Sequence, residues 1–261
     1  MDYETVAYDL IGGVATITLN RPATLNAFTE QMIAETVAAF GEAEQDRSVR
    51  CVVLTGNGRA FSSGQDLTEV RERAGQFSIG EHIRQGYNRL IAQMVELEKP
   101  IIGAINGIAA GAGCGVALAT DIRIAAHTAS FMLAFSKIGL VPDSGLNWLL
   151  PRLIGYARAY ELALTADKLS AEQAFSWGMV NRVVPADQLM ETAVAWATKL
   201  AAGPTLAYGL TKRAMNQGWT MSLAETLDNE ADLQEICGRS HDNKEGIQAF
   251  LEKRRPAFTG S

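Results

Sequence analysis

The chain has 261 residues, enough for one large core or for one core with a helical appendage. Apolar residues make up 48% and charged residues 20%, which excludes a disordered chain. The formal net charge is −6 and the longest basic cluster is Lys253-Arg254-Arg255, so the basic stripe of a nucleic-acid binder is missing and no nucleic-acid partner is expected.

A strand over about 4–9, a Gly12-Gly13 turn and a strand over 14–20 read as a β-hairpin. Asn20-Arg21-Pro22 ends it. Met32, Ile33, Val37 and Phe40 fall at helical spacing, which predicts a helix over 29–45 with Thr29 as its N-cap. Val49 to Thr55 is a β-branched run and predicts a buried strand, broken by Gly56-Asn57-Gly58. Residues 59–80 read as a loop. A helix over 82–97 follows, with Ile83, Tyr87, Leu90, Ile91, Met94 and Val95 as its apolar face. Pro100 to Asn106 predicts another buried strand, and Gly107 to Gly115 a glycine-rich stretch running into a helix of small residues. Strands are expected over 121–126 and 130–133. Helices are expected over 145–154, 156–164, 170–176, 187–202, 205–217, 221–238 and 242–253. Strands separated by helical crossovers imply parallel pairing in an α/β layered core, with a helical C-terminal part after Pro185.

The cysteines, at 51, 114 and 237, are odd in number and form no CxxC pair. No disulfide framework or zinc site is expected, and each reads as a small buried hydrophobe. Met1-Asp2-Tyr3-Glu4 has neither a basic region nor an apolar one, so no signal peptide is indicated. No uncharged apolar stretch reaches the roughly 18 residues of a membrane span. A cytoplasmic protein with no membrane partner is the expectation.

Two glycine-containing loops follow buried strands. The first is Arg59-Ala60-Phe61-Ser62-Ser63-Gly64-Gln65-Asp66-Leu67. The second is Asn106-Gly107-Ile108-Ala109-Ala110-Gly111-Ala112-Gly113-Cys114, which enters a helix. Glycine lets backbone approach a ligand, and a helix N-terminus offers unpaired N–H groups to a developing oxyanion. Small residues serve close helix–strand packing equally well, and the pattern does not separate the two readings. The sequence lacks the Gly-Lys-Ser/Thr of a P-loop and a Rossmann G-x-G-x-x-G.

Asp143, in Leu140-Val141-Pro142-Asp143-Ser144-Gly145, has two readings as well. It is a turn or N-cap residue, or a general acid/base walled by Phe131, Phe135, Leu140 and Val141. His82, His127 and His241 lack metal-ligand spacing and read as surface or structural residues. Ser63 does not sit in the G-x-S-x-G of a nucleophile elbow.

Taken in order, the motifs resemble the crotonase (enoyl-CoA hydratase/isomerase) superfamily. They are Asn20-Arg21-Pro22 with Leu25-Asn26-Ala27; Phe61 to Leu67; Lys99-Pro100; Asn106-Gly107 with Gly111-Ala112-Gly113; Asp121 to Ala125; Leu169-Ser170-Ala171; Gly178-Met179-Val180; and Phe250 to Phe258. The resemblance implies an α/β, ClpP-like crotonase fold of repeated ββα units over 1–185. It implies a helical oligomerisation region over 186–261, assembling a homotrimer or a dimer of trimers. It implies an acyl-CoA thioester ligand, with coenzyme A entering as part of the substrate, no tightly bound cofactor and no metal. By position it assigns the oxyanion hole to the N–H groups of Ser63 and Ala112, and acid/base work to Asp143. Ala27, Ala60, Ser62, Gly64, Gln65, Asp66, Leu67, Gly111, Phe135 and Leu140 are its expected substrate-binding residues.

The departures narrow the chemistry. Hydratases of the superfamily carry two glutamates that handle a water, and those positions here are Gly115 and Phe135. Neither moves a proton. Asn88 stands where dehalogenase-like members carry a histidine. The stretch Ala134 to Asp143, with Tyr87-Asn88 and Trp148 to Arg152, looks most like the 1,2-epoxyphenylacetyl-CoA isomerases, the branch that rearranges a ring epoxide and shifts Δ3 double bonds to Δ2. A hydratase using Asp143 alone, or a non-catalytic acyl-CoA binder, are the alternatives.

Overall fold

The computed structural model describes residues 3–72 and 78–261. The first two residues of the acidic N-terminus, and residues 73–77 of the expected 59–80 loop, lie outside the described residues. β1 (Val6–Ile11) and β2 (Val14–Leu19) form the predicted antiparallel hairpin, and its turn places Gly12 and Gly13 at φ 59° and 80°. Those left-handed values cost glycine nothing, and they suit a tight hairpin turn. α1 (Glu30–Gln45) follows, capped as expected by Thr29, whose side chain accepts the Met32 N–H at 3.2 Å. It buries Met32, Ile33 and Phe40, and packs on β1 and β2.

From β3 (Cys51–Gly56) onward, successive strands divide between two sheets. β3, β5 (Ile101–Ile105), β7 (Ile122–Ala126) and β10 (Arg182–Val184) join the hairpin in a six-stranded sheet of order β1-β2-β3-β5-β7-β10. β4 (Ala60–Ser62), β6 (Ile108–Ala110), β8 (Ser130–Met132) and β9 (Leu169–Ser170) form a four-stranded sheet in that order. Each pair β3/β4, β5/β6 and β7/β8 thus sends one strand to each sheet before the chain turns helical. This is the repeated ββα unit. The pairings β2–β3, β3–β5, β5–β7, β7–β10, β4–β6 and β6–β8 are parallel. β3 and β5 are buried along their whole length, as parallel strands covered on both faces must be.

The short strands correct the sequence reading. The expected 59–80 loop contains β4, α2 (Leu67–Glu72) and the start of α3 (Ile79–His82), and the glycine-rich 107–115 stretch contains β6. β9 and β10 have no sequence signal either. Strands of two or three residues carry too little period to detect reliably, and of these only β8 was expected, over 130–133. The helix expected over 82–97 is a wider π-helical turn, Ile83–Tyr87, followed by α4 (Asn88–Glu96).

The remaining helices are α5 (Ala112–Leu118), α6 (Leu146–Ile154), α7 (Tyr156–Thr165), α8 (Ala171–Ser176), α9 (Leu189–Ala201), α10 (Thr205–Gly218), α11 (Leu223–Arg239) and α12 (His241–Glu252). α9 lays Leu189, Ala193, Ala197 and Ala201 across β2, β3, β5 and β7, so the sheet's cover comes from beyond residue 185. α10, α11 and α12 surround a groove of about 880 Å³, around which Met215, Ile247, Phe250 and Leu251 face solvent. Among the described residues, no helix is long and apolar enough to cross a membrane.

Cys51 and Cys114 are buried as expected, and burial pushes both thiols up to about 12, so they are inert at neutral pH. Cys237 is only half-buried. Arg123, on β7, ties the core together. Its guanidinium is buried, and it donates to the carbonyls of Leu118, Thr120 and Met179. Arg123→Met leaves three buried carbonyls short of a donor and should cost at least about 3 kcal/mol. The expected result is a lower urea midpoint with an unchanged m-value.

Candidate active site

The first loop is braced before it reaches any ligand. Asn26 is fully buried; its amide nitrogen donates to Asn57 O at 2.9 Å and to Ala60 O at 2.8 Å. Ser62 donates its hydroxyl to Asn26 O at 2.7 Å. Arg21 pairs with Asp66 at 3.0 Å. Burial raises the Asp66 carboxyl, but the Arg21 hydrogen bond and the N–H groups of Thr68 and Glu69 hold it below its ordinary value.

The hydrogen bonds along this loop decide which N–H is left open. Ser63 N–H donates to Leu25 O at 2.9 Å, and Gly64 N–H to Ser62 Oγ at 3.2 Å. Phe28 N–H donates to Gly64 O and Asp66 N–H to Phe28 O, a parallel bridge that brackets Gln65 and leaves its own N–H outside the ladder. Among the described residues the Gln65 N–H has no acceptor. The expected donor, Ser63, thus has no free N–H in this structure. Its N–H is already used, and the open one lies two positions on.

In the second loop, Gly111 N–H donates to Met132 O at 2.9 Å, and Ala112 opens α5 with no acceptor among the described residues. α5 has seven residues, so the individual N–H matters more than a helix dipole. Gly64 brings the loops together. It sits at φ 93°, and a Cβ there would stand 2.8 Å from Ala110 O and 3.4 Å from Ala112 N. Any side chain at 64 would push the two open N–H groups apart.

Both loops line a cavity of about 150 Å³. Its apolar wall includes Leu67, Val70, Ile79, Ile83, Phe135, Ile138 and Leu140. Its polar side chains include Gln65, His82, Tyr87 and Asp143, the last being its one carboxylate among the described residues. Asp143 is not a helix cap. α6 is capped by Gly145 with no side-chain hydrogen bond, and the Asp143 carboxylate instead accepts the Ser144 hydroxyl at 2.7 Å. Burial holds this carboxyl above its ordinary value, against the opposing pull of Ser144 and His82. A raised carboxyl makes its carboxylate a stronger base than an ordinary aspartate.

The sequence model of the enoyl-CoA hydratase/isomerase family matches residues 10–261. The chain belongs to that family. It is 48% identical to the 1,2-epoxyphenylacetyl-CoA isomerase of Escherichia coli (strain K12) over 250 residues, 95% of each chain. It is 44% identical to the "Probable enoyl-CoA hydratase" of Rhodobacter capsulatus over 260 residues, 100% of both. Among solved structures, the enoyl-CoA hydratase from Bacillus anthracis superposes with a TM-score of 0.90 at 36% identity, covering 99% of this chain and 100% of that one. The fold is thus the crotonase fold, and the chemistry of this enoyl-CoA hydratase/isomerase member is that of an acyl-CoA hydratase or isomerase.

Of the residues expected from sequence, Ser63, Gly64, Gln65, Leu67, Gly111, Ala112, Phe135, Leu140 and Asp143 line the cavity. Ala27, Ala60, Ser62 and Asp66 stand behind its wall as braces. Sequence reasoning misses His82. It falls with the surface or structural histidines there, yet its side chain is 7% exposed and faces the cavity. A lone histidine carries no spacing signal; only its helical phase with Tyr87, on an apolar face, could have hinted at an inward position. Asn88 is exposed and is not part of the wall. No group of three or more metal-ligating side chains comes together among the described residues.

Proposed function

We propose that this chain is an acyl-CoA isomerase in which Asp143 shuttles a proton and the N–H groups of Gln65 and Ala112 hold the thioester oxygen. The observation that carries this reading is, among the described residues, one carboxylate, raised by burial, lining an apolar cavity with two N–H groups that have no acceptor. Two N–H donors at the carbonyl oxygen lower the energy of the enolate and so acidify the α-carbon. With a Δ3-enoyl thioester, Asp143 takes the proton from C2, the dienolate spreads to C4, and the same carboxylic acid returns the proton there. The product is the Δ2 thioester, and the enzyme ends as it began. One base suffices for this shift.

Hydration needs a nucleophilic water as well as a proton for the α-carbon, and the positions that the superfamily's hydratases use hold Gly115 and Phe135. Phe135 is 7% exposed and forms part of the apolar wall. An apolar cavity of about 150 Å³ takes a benzene-sized group, which favours an aromatic acyl group such as that of ring 1,2-epoxyphenylacetyl-CoA beside short Δ3-enoyl chains. The similarity to a relative named a hydratase supports a second reading, hydration by Asp143 alone. Assay of Δ3-hexenoyl-CoA isomerisation and crotonyl-CoA hydration on one preparation separates them. Isomerisation at least about 10²-fold faster is expected, a factor equivalent to some 3 kcal/mol of barrier. Faster hydration refutes the proposal.

The exposed apolar residues around the α10–α12 groove support assembly as a homotrimer or a dimer of trimers, because apolar patches of this kind mark subunit contacts. Native mass measurement should give three or six chains, and a monomer would refute it.

A further inference from the structure

The Gln65 side chain is held as firmly as its backbone. Its Oε1 accepts the Tyr87 hydroxyl at 2.8 Å and lies 2.8 Å from His82 Nε2. Its Nε2 lies 3.5 Å from Glu69 Oε2. A carboxamide oxygen has two lone pairs, so the bond from Tyr87 and an Nε2–H bond from His82 would occupy both. Tyr87 is 2% exposed, and its ring meets Phe28 edge-on at 5.9 Å and His82 edge-on at 5.6 Å. Phe28 is the residue whose backbone brackets Gln65 from the other side. His82 Nδ1 lies 3.7 Å from Glu30 Oε1, at the start of α1. Tyr87 closes the π-helical turn, a widening that recurs at functional sites.

An ordinary core tyrosine needs one acceptor for its hydroxyl. Here two aromatic side chains from one helical segment converge on the same oxygen, and that oxygen belongs to the residue carrying an open N–H at the cavity. We infer that Tyr87 and His82 are positioning residues, which fix the direction of the Gln65 N–H through the Gln65 carboxamide. The inference rests on the oxyanion reading above. Without these bonds the 63–66 loop keeps its bracket at Phe28 but loses the tether that stops residue 65 from swivelling. The donor then points poorly at the oxygen in the enolate, where alignment counts most.

The test uses Tyr87→Phe, Gln65→Leu and the double variant, with two readouts. The first is kcat and KM on Δ3-hexenoyl-CoA. The second is the absorbance of bound cinnamoyl-CoA, whose red shift reports polarisation of the thioester carbonyl. Each single change should lower kcat by about 10- to 100-fold with KM within about twofold, the signature of a misplaced transition-state contact. Each should also shrink the red shift. The double variant should be no worse than the poorer single, since both remove one tether. Unchanged kcat in Tyr87→Phe, multiplying effects in the double variant, or a full red shift beside a low kcat would each overturn the inference. A wild-type complex with no red shift would instead defeat the oxyanion reading, and the positioning role with it. Should Tyr87→Phe fail to fold, Gln65→Leu, on a loop braced by other residues, carries the same test.

Discussion

Asparagine in place of Asp143 should lower kcat for Δ3-enoyl-CoA isomerisation by about 10²–10⁴-fold, the usual contribution of a positioned acid/base. It should do so without lowering the thermal midpoint. The carboxamide keeps the shape of the side chain and can still accept the Ser144 hydroxyl, so binding and KM should change little. The pH profile follows from burial. The wild-type base is active when ionised, and its carboxyl is held above the ordinary value. The acid-side fall in kcat/KM should therefore lie above the usual aspartate range. Stability runs the other way. A carboxyl whose folded pKa exceeds its unfolded one contributes stability below the unfolded pKa and loses it as pH rises through the folded pKa. At neutral pH the ionised Asp143 is thus held at a cost, which the neutral amide does not carry. Activity should collapse while the melting temperature at pH 7 stays level or rises, as at other sites where function is kept at the expense of stability. Retained turnover would remove Asp143 from the mechanism. A melting temperature that falls together with activity would recast it as a structural residue.

The long helices were legible because they repeat their period several times, whereas the short α2 and α3 were not. Met32, Ile33, Val37 and Phe40 mark one face of α1, and Thr29 caps it, with nothing needed beyond local chemistry. Val49 to Thr55 and Pro100 to Asn106 announced β3 and β5 through unbroken apolar runs, since both faces are buried. β4, β6, β9 and β10 were silent because strands this short are held by tertiary pairing. The site divides in the same way. Glycine marked the two loops as able to approach each other closely, but glycine does not say which N–H is left open. That choice, Gln65 over Ser63, is made by the bridge to Phe28 and by Leu25 O, both contributed by a distant segment. His82 joins the cavity only because α3 folds over Gln65. Asp143 read as a cap or turn residue or as an acid/base; Gly145 takes the cap position, while Asp143 opens the turn, its carbonyl accepting the Leu146 N–H.

Gly115→Ala should cripple the proposed isomerisation, and Gly115→Glu should do so without creating a hydratase. Gly115 sits in α5, packed on the turn that carries Asp143. A Cβ there would stand 2.4 Å from Ser144 O and 2.6 Å from Ser144 Cβ, nearer than non-bonded atoms approach. Backbone must move to relieve that contact, and the backbone in question is already committed. Ser144 is at φ 50° and 1% exposed, and Gly145 is at φ 76°. Ser144 adjoins Asp143 and also donates to its carboxylate. A shift of about 1 Å in that turn carries the carboxylate away from C2 and should cost about 10²-fold in kcat. Overpacking should lower stability by about 1–3 kcal/mol. The consequence reaches the question of hydration. The superfamily's hydratases place a glutamate at this position, and a glutamate brings the same Cβ. In this chain the Ser144 carbonyl fills the space such a side chain would leave from. A carboxylate at 115 and the Asp143 turn therefore exclude each other by volume, so restoring glutamates at 115 and 135 together should still yield no crotonyl-CoA hydration. Hydration appearing in that double variant with isomerisation intact would break the argument, because it would require both occupants in a space that holds one.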